Sequence, residues 1–531
     1  MSDRAGPLGS AEFEQYLMWR RILDDPLVEL DMSLSGLVEE DVSAQAGPLS
    51  AALAAMEALE GGALANADEG RMVGHYWLRA PARAPNEEIA DEIAATIERI
   101  ENFARSIHAG SIAPPEGGVF RKVVVIGVGG SALGPMLVAD AMAQSTDPMT
   151  VQVMDNTDPD GIDRLLAGAA PLQDCLFIIT SKSGGTPETR NGMLEVESAC
   201  REQGLDFASR AIAVTVPTSA LGSKASEEGW LAVFPMWDWV GGRTSVFSAV
   251  GLLPAALQGV DIRGFLGGAA AMDEWTRVSE CQENPAALLA LMWWKEGQGR
   301  GERDLVVLPY KDRLILLSRY LQQLVMESLG KRLDRQGNVV GQGLTVYGNK
   351  GSTDQHALVQ QLRDGRHSFF AHFVRVLEDR SGPSTEAVPT ATSGDFLDGF
   401  LQGTRRALFE EGRHCVTITV DRVDARSLGA LIALFERSVG IYAELIDVNA
   451  YHQPGVEAGK EAAASVLELQ ERLLGALSVE GKTCVELAVE LGADPCDVWP
   501  ILQHLAMNRP EVRCPGPLEP GTALFALRGG D

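Results

Sequence analysis

Apolar residues recur along this chain in two registers, one helical and one fitted to short buried strands. Through residue 108, Ala, Leu and Glu follow a helical period, as in IADEIAATIERIENFARSI (89–107), and predict a mainly helical region. AGSIAPPEGG (109–118) is rich in breakers and reads as a linker. Beyond it, the β-branched runs VVVIGV (123–128), VQVM (151–154), LFIIT (176–180) and AIAVTV (211–216) alternate with helix-length amphipathic segments. That alternation predicts βαβ units and a parallel sheet covered by helices on both faces. A second such region holds DLVVLPY (304–310), LTVYG (344–348), FAHFVRV (370–376) and VTITV (416–420), and closes on ALIALFERSVGIYAELIDV (430–448), read as a helix plus a strand. Within it, RLILLSRYLQQLVMESLGKRL (313–333) predicts one helix with Leu314, Leu317, Leu321, Leu324 and Ser328 on its buried stripe. The polar stretch 379–394 reads as a mobile loop. From about 466, three helical patterns precede VRCPGPLEPGTALFAL (512–527), a small hairpin, which together suggest a winged-helix-like module.

These patterns divide the chain into a helical region (1–115), two α/β domains (116–265 and 266–465) and a C-terminal appendage (466–531). A length of 531 residues fits several domains, and 45 % hydrophobic with 22 % charged residues is ordinary globular composition. Acidic residues outnumber basic ones 73 to 45, giving a formal net charge of −28. With no long basic run, nucleic acid is not an expected partner. The C-terminal stretch 461–531, with eleven acidic and five basic residues, is no better suited to DNA. Seven scattered cysteines without a CxxC pair predict free thiols in a reducing compartment. No basic start followed by an apolar run opens the chain, and its longest uncharged runs are broken by Gly and Pro. No signal peptide and no membrane partner are therefore expected, and the expected location is cytoplasmic.

Three stretches carry candidate chemistry. SKSGGTPET (181–189) follows a predicted strand and opens a predicted helix, with Thr186 as N-cap and Pro187 at the first helical position. Such a start offers free backbone N–H groups to an anion, and Ser181, Ser183 and Thr186 add hydroxyls. It lacks the nucleotide-triphosphate loop spacing, so a single monoester phosphate fits better; the alternative is an ordinary capped helix. VVVIGVGGSALGP (123–135) matches GxGxxA at Gly127, Gly129 and Ala132, yet its extra glycine and serine suit a smaller ligand equally well. Gln323, Glu327 and Lys331 share one helix face, either as a solvent-side Glu–Lys pair or with Glu327 as a half-buried base.

Taken together, IGVGGSALGP (126–135), SKSGGTPET, WDWVGGRTSVFSAVGL (237–252), LPYKDRLILLSRYLQQLVMESLGK (308–331), GSTDQHALVQQL (351–362) and NAYHQPGVEAGK (449–460) resemble the phosphoglucose isomerase family, as does ANADEGRMVGHYWLRAP (65–81). The resemblance implies an α/β fold of two SIS-type, three-layer αβα domains. It implies reversible exchange of glucose 6-phosphate and fructose 6-phosphate through a cis-enediol, in glycolysis and gluconeogenesis. Residue by residue, it implies phosphate held by Ser181, Lys182, Ser183 and Thr186, with Thr189 nearby, and sugar contacts from Gly130, Ser131 and Gln323. His356 with Lys460 would open the ring, Glu188 would orient His356, Glu327 would move the proton, and Arg243 would steady the developing oxyanion. Gln453 would support the Lys460 segment. The resemblance further implies a homodimer in which His356 completes the neighbouring site, with no metal and no cofactor. Departures from the pattern are Leu329, Pro454 and the pair Gly184–Gly185, which is expected to loosen the phosphate loop. A non-catalytic sugar-phosphate receptor would need the loop but not the acid–base set.

Overall fold

The computed structural model describes residues 10–516 and 518–528, apart from the side chains at 10 and 456–461. It contains two compact units, the first ending at His452 and the second beginning at Gln453.

The first unit holds both predicted sheets. One is parallel throughout, with its strands in the order Thr150–Met154, Lys122–Ile126, Cys175–Thr180, Ala211–Thr215, Ala232–Pro235. The three central strands are buried on both faces, as strands between helical layers must be: Val123, Val124, Val125 and Ile126 are all fully buried. Lys122–Ile126 is followed in the chain by Thr150–Met154 on one side while Cys175–Thr180 lies on its other side, so the winding of the parallel strands reverses between Lys122–Ile126 and Cys175–Thr180. In doubly wound sheets, the crevice beyond the strand ends at such a switch point is where ligands bind.

The second sheet has four parallel strands, Cys415–Val420, Phe369–Val376, Asp304–Pro309 and Val346–Tyr347, in that order. A hairpin from the N-terminal region, Arg20–Asp24 with Leu27–Asp31, extends it antiparallel to Cys415–Val420, with Leu30 opposite Ile418. The helical reading of this region did not anticipate the hairpin. Its strands have five residues each and complete a sheet whose other members lie hundreds of residues downstream. Residues 430–448 also differ from expectation: Ala425–Leu445 is one helix, buried along nearly its whole length. Its second half, SVGIYAEL, is a short run rich in β-branched and aromatic residues, which periodicity alone does not separate from a buried strand. The polar loop expected over 379–394 contains a short hairpin, Glu386–Val388 with Ala391–Thr392. Among the described residues no helix is long and apolar enough to cross a membrane, and all seven cysteines are free thiols.

A fully buried ion network joins distant parts of this unit. Arg79 donates to both oxygens of Asp273 at 2.5 and 3.0 Å and to Glu436 at 2.5 Å. Arg437 donates to Asp273 at 3.1 Å and to Glu60, with its guanidinium 4.0 Å from the centre of the Tyr76 ring. Segment 60–79 is thereby fixed to helices Ile262–Trp275 and Ala425–Leu445. Burial pushes the Glu436 carboxyl up to about 7, outweighing the pull of Arg79.

The second unit has helices Pro454–Ala476, Cys484–Leu491 and Pro495–Asn508, and a three-stranded antiparallel sheet centred on Leu524–Leu527. Its own core includes Leu473, Leu487, Leu502, Leu505 and Phe525.

Arg79→Met should lower the unfolding free energy by about 3–5 kcal/mol, because it removes the arginine bonded to Glu436 and leaves Asp273 to Arg437; the midpoint of urea unfolding reads this directly. Glu436 binds its proton more tightly folded than unfolded, so its stabilising contribution is full below its ordinary value of 4.5 and is lost as pH rises through about 7. Glu436→Gln should flatten the stability profile across that window.

Candidate active site

Two loops meet beyond the switch point of the first sheet. The glycine-rich turn leaves Lys122–Ile126 and enters the helix Gly130–Met142. The loop 181–186 leaves Cys175–Thr180 and enters the helix Pro187–Glu202, with Thr186 at the N-cap and Pro187 at the first position, as the sequence predicts. Within the loop, Ser181 Oγ accepts from Gly184 N at 3.0 Å and lies 3.3 Å from Thr186 Oγ1, while Ser183 Oγ accepts from Gly185 N at 3.1 Å. The hydroxyls of Thr180 and Thr189, both buried, have no hydrogen-bond partner among the described residues. Lys182 donates to the carbonyl of Asp238 at 3.1 Å, and burial, then the Arg71 guanidinium, pull its ammonium below the ordinary lysine value. This concentration of hydroxyls, amides and one cation at a helix start suits a small dianion.

The glycine pair does not loosen the loop throughout. Gly184 has φ +77°, and a Cβ there would fall 2.7 Å from Leu221 N, so glycine lets the loop close against the helix Ala220–Glu227.

Across the turn lies the segment 241–245. A Cβ on Gly130 would fall 2.0 Å from the Gly242 carbonyl oxygen, and Ser245 Oγ donates to the Gly130 carbonyl at 3.3 Å. That tight crossing sets the position of Arg243, which is 7 % exposed. Its Nε donates to Ser328 Oγ at 3.0 Å, its Nη2 to the Ala450 carbonyl at 2.6 Å, and its Nη1 lies 3.5 Å from Glu327 Oε2. Burial pulls the guanidinium below its ordinary value while Glu327 acts in the opposite direction.

Glu327 belongs to an element that differs from the predicted continuous helix 313–333. A 3₁₀ turn Asp312–Leu314 precedes the helix Leu317–Leu321, which widens into a π-turn over Gln322–Glu327; Lys331–Leu333 is already a strand. Leu314, Leu317, Leu321, Leu324 and Ser328 are buried as predicted. Gln323 Nε2 donates to Glu327 Oε2 at 3.3 Å and approaches the glycine-rich turn, 3.0 Å from where a Gly129 Cβ would stand. Lys331 does not make the surface pair that its spacing suggested. It is buried, and its Nζ donates to the carbonyls of Glu327 at 2.5 Å and Ser328 at 2.9 Å.

The structure therefore brings together Gly130, Arg243, Gln323 and Glu327, and separately clusters Ser181, Ser183 and Thr186, with Lys182 reaching toward the segment before Arg243. Ser131 begins the helix beside Gly130 and is half-buried. His356 is not part of either group. It ends the 3₁₀ turn Thr353–His356, is exposed, and makes no side-chain hydrogen bond among the described residues. Lys460 lies outside the residues whose side chains are described. Among the described residues no cluster of three or more His, Cys, Asp or Glu side chains is placed to hold a metal ion.

The family profile described as phosphoglucose isomerase matches residues 44–396 and 401–476. The chain belongs to the phosphoglucose isomerase family. It is 56 % identical to the glucose-6-phosphate isomerase of Synechococcus sp. (strain JA-3-3Ab), over 92 % of this chain and 95 % of that one. It is 54 % identical to that of Nostoc sp. (strain PCC 7120), over 97 % and 99 %. The crystal structure of a glucose-6-phosphate isomerase from Chlamydia trachomatis superposes with a TM-score of 0.79 at 25 % identity, over 88 % of this chain and 92 % of that one.

The sequence pattern does not announce the contacts that fix Arg243. The Ser328 hydroxyl is hidden on a helix stripe, and the Ala450 carbonyl is a backbone atom that no motif announces. The spacing of Lys331 from Glu327 was visible, but its burial was not.

Gly130→Ala should force the 241–245 segment away and cost about 1–3 kcal/mol of stability. Gly185→Ala, whose added Cβ would meet only Ser183 Oγ at 3.5 Å, should stay within about 0.5 kcal/mol of wild type in the same urea titration.

Proposed function

We infer that this chain interconverts D-glucose 6-phosphate and D-fructose 6-phosphate, an aldose–ketose isomerisation in glycolysis and gluconeogenesis. The observation that carries the reading is Glu327, a half-exposed carboxylate with Arg243 at 3.5 Å, beside a glycine-rich turn at the switch point of the sheet. In the proposed mechanism, Ser181, Lys182, Ser183 and Thr186 hold the substrate phosphate. Gly130, Ser131 and Gln323 contact the sugar. His356, assisted by Lys460, moves the proton between ring oxygen and hydroxyl to open the chain.

Glu327 then takes the proton from one of the two carbons and returns it to the other. A single carboxylate on one face of a cis-enediol serves both directions, because the intermediate presents both carbons to it. Arg243 keeps a fixed positive charge near the oxygen that becomes negative, and its burial strengthens that interaction relative to water.

The exposure of His356 on its own chain supports a homodimer in which this histidine completes the neighbour's site. We read the chain as regions 1–115, 116–265, 266–465 and 466–531, with the helix Pro454–Ala476 running across the last of these boundaries. Three helices feeding a three-stranded sheet support a winged-helix-like appendage, whose acidic excess is unsuited to nucleic acid. We place the enzyme in the cytoplasm.

Purified protein should convert fructose 6-phosphate to glucose 6-phosphate with chelator present, and Glu327→Gln should lower kcat by about 10²- to 10⁴-fold. Full activity in the variant would remove Glu327 from its role. Arg243→Lys, which keeps charge but not the fork of donors, should cost about 100-fold in kcat/KM.

A further inference from the structure

The last turn of the element that carries Glu327 is closed by a buried cation. Lys331 is 5 % exposed, and its two carbonyl acceptors belong to Glu327 and Ser328. Carbonyls at a helix C-terminus lack intrahelical partners and attract positive charge. Ser328 is also the residue whose hydroxyl accepts from Arg243. Glu327 is thus held at its backbone by one cation and faced at its carboxylate by another.

Three charged groups act on the ammonium: Arg243 disfavours its charge, while Glu327 and Asp68 favour it. Burial, then Arg243, pull Lys331 down to about 7. A buried ammonium beside an arginine is a poor choice for packing alone, since an apolar side chain of similar length would fill the space without losing hydration.

We propose that Lys331 is a positioning residue for the isomerisation, locking the final residues of the π-turn so that the Glu327 carboxylate stays against Arg243. It acts through Glu327 and does not touch substrate, and the proposal rests on the reading of Glu327 as the base.

Three variants separate the clamp from the charge. Lys331→Met removes both, Lys331→Gln keeps a donor without charge, and Lys331→Arg keeps charge and donors. At neutral pH, kcat should fall about 10- to 100-fold in Lys331→Met, with KM within about threefold of wild type. The kcat should recover in part in Lys331→Gln and toward wild type in Lys331→Arg, with KM again within about threefold of wild type. Should Lys331→Met fail to fold, Lys331→Gln and Lys331→Arg carry the same comparison. Wild-type kcat in Lys331→Met, or a kcat in Lys331→Arg no higher than in Lys331→Gln, would overturn the proposal. An inactive wild type would instead overturn the proposed function.

Discussion

A buried guanidinium fixes the geometry on which the site depends. Arg243 has little water around it, so its charge needs protein acceptors, and these come from segments far apart in sequence: the Ser328 hydroxyl, the Ala450 carbonyl and the Glu327 carboxylate. An arginine satisfied in this way has few alternative positions, because moving it would leave a buried charge unpaired. The crossing of Gly130 with Gly242 fixes the same segment from the other side. Glu327 therefore faces a cation that need not reorganise when charge develops on a substrate oxygen. Such preorganisation is where most electrostatic catalysis arises.

The chain's net charge of −28 is not in conflict with an anionic substrate. Screening confines the influence of surface carboxylates to roughly 8 Å at physiological ionic strength. Within the crevice the substrate would meet instead backbone amides at the start of Pro187–Glu202, hydroxyls from the 181–186 loop and the Lys182 ammonium. The parallel sheet explains why these groups sit beside the glycine-rich turn. Both loops leave the same ends of adjacent strands, although 50 residues separate Gly130 from Thr180. The buried Arg79–Asp273–Glu436 network performs a comparable joining role deeper in the fold, between segments that share no local sequence signal.

Much of this was legible in the sequence. Strands such as Cys175–Thr180 are continuous apolar runs bounded by breakers, and Thr186–Pro187 carries the chemistry of a helix start in its residue types. Three features were not. The hairpin Arg20–Asp31 is defined by a partner strand that the chain has yet to reach. The π-turn at Gln322–Glu327 inserts its extra residue without any change in composition, so RLILLSRYLQQLVMESLGKRL reads as one uninterrupted helix. Lys331 looked like half of a surface pair because periodicity assigns a helix face but not what covers it. Recognition of the family named Glu327 and Arg243 together. Their separation, and the acceptors that fix the arginine, came only from the fold.

The central claim is that a carboxylate on one face of the substrate carries the proton through an enediol. The most direct test is to run the isomerisation of fructose 6-phosphate in D₂O and read deuterium at C2 of the glucose 6-phosphate formed, by NMR. A proton held on Glu327 can exchange with solvent before it is returned, so the account predicts deuterium at C2 in the wild-type product. Turnover without any deuterium at that carbon would mean that hydrogen passes directly between the carbons, and would contradict the account.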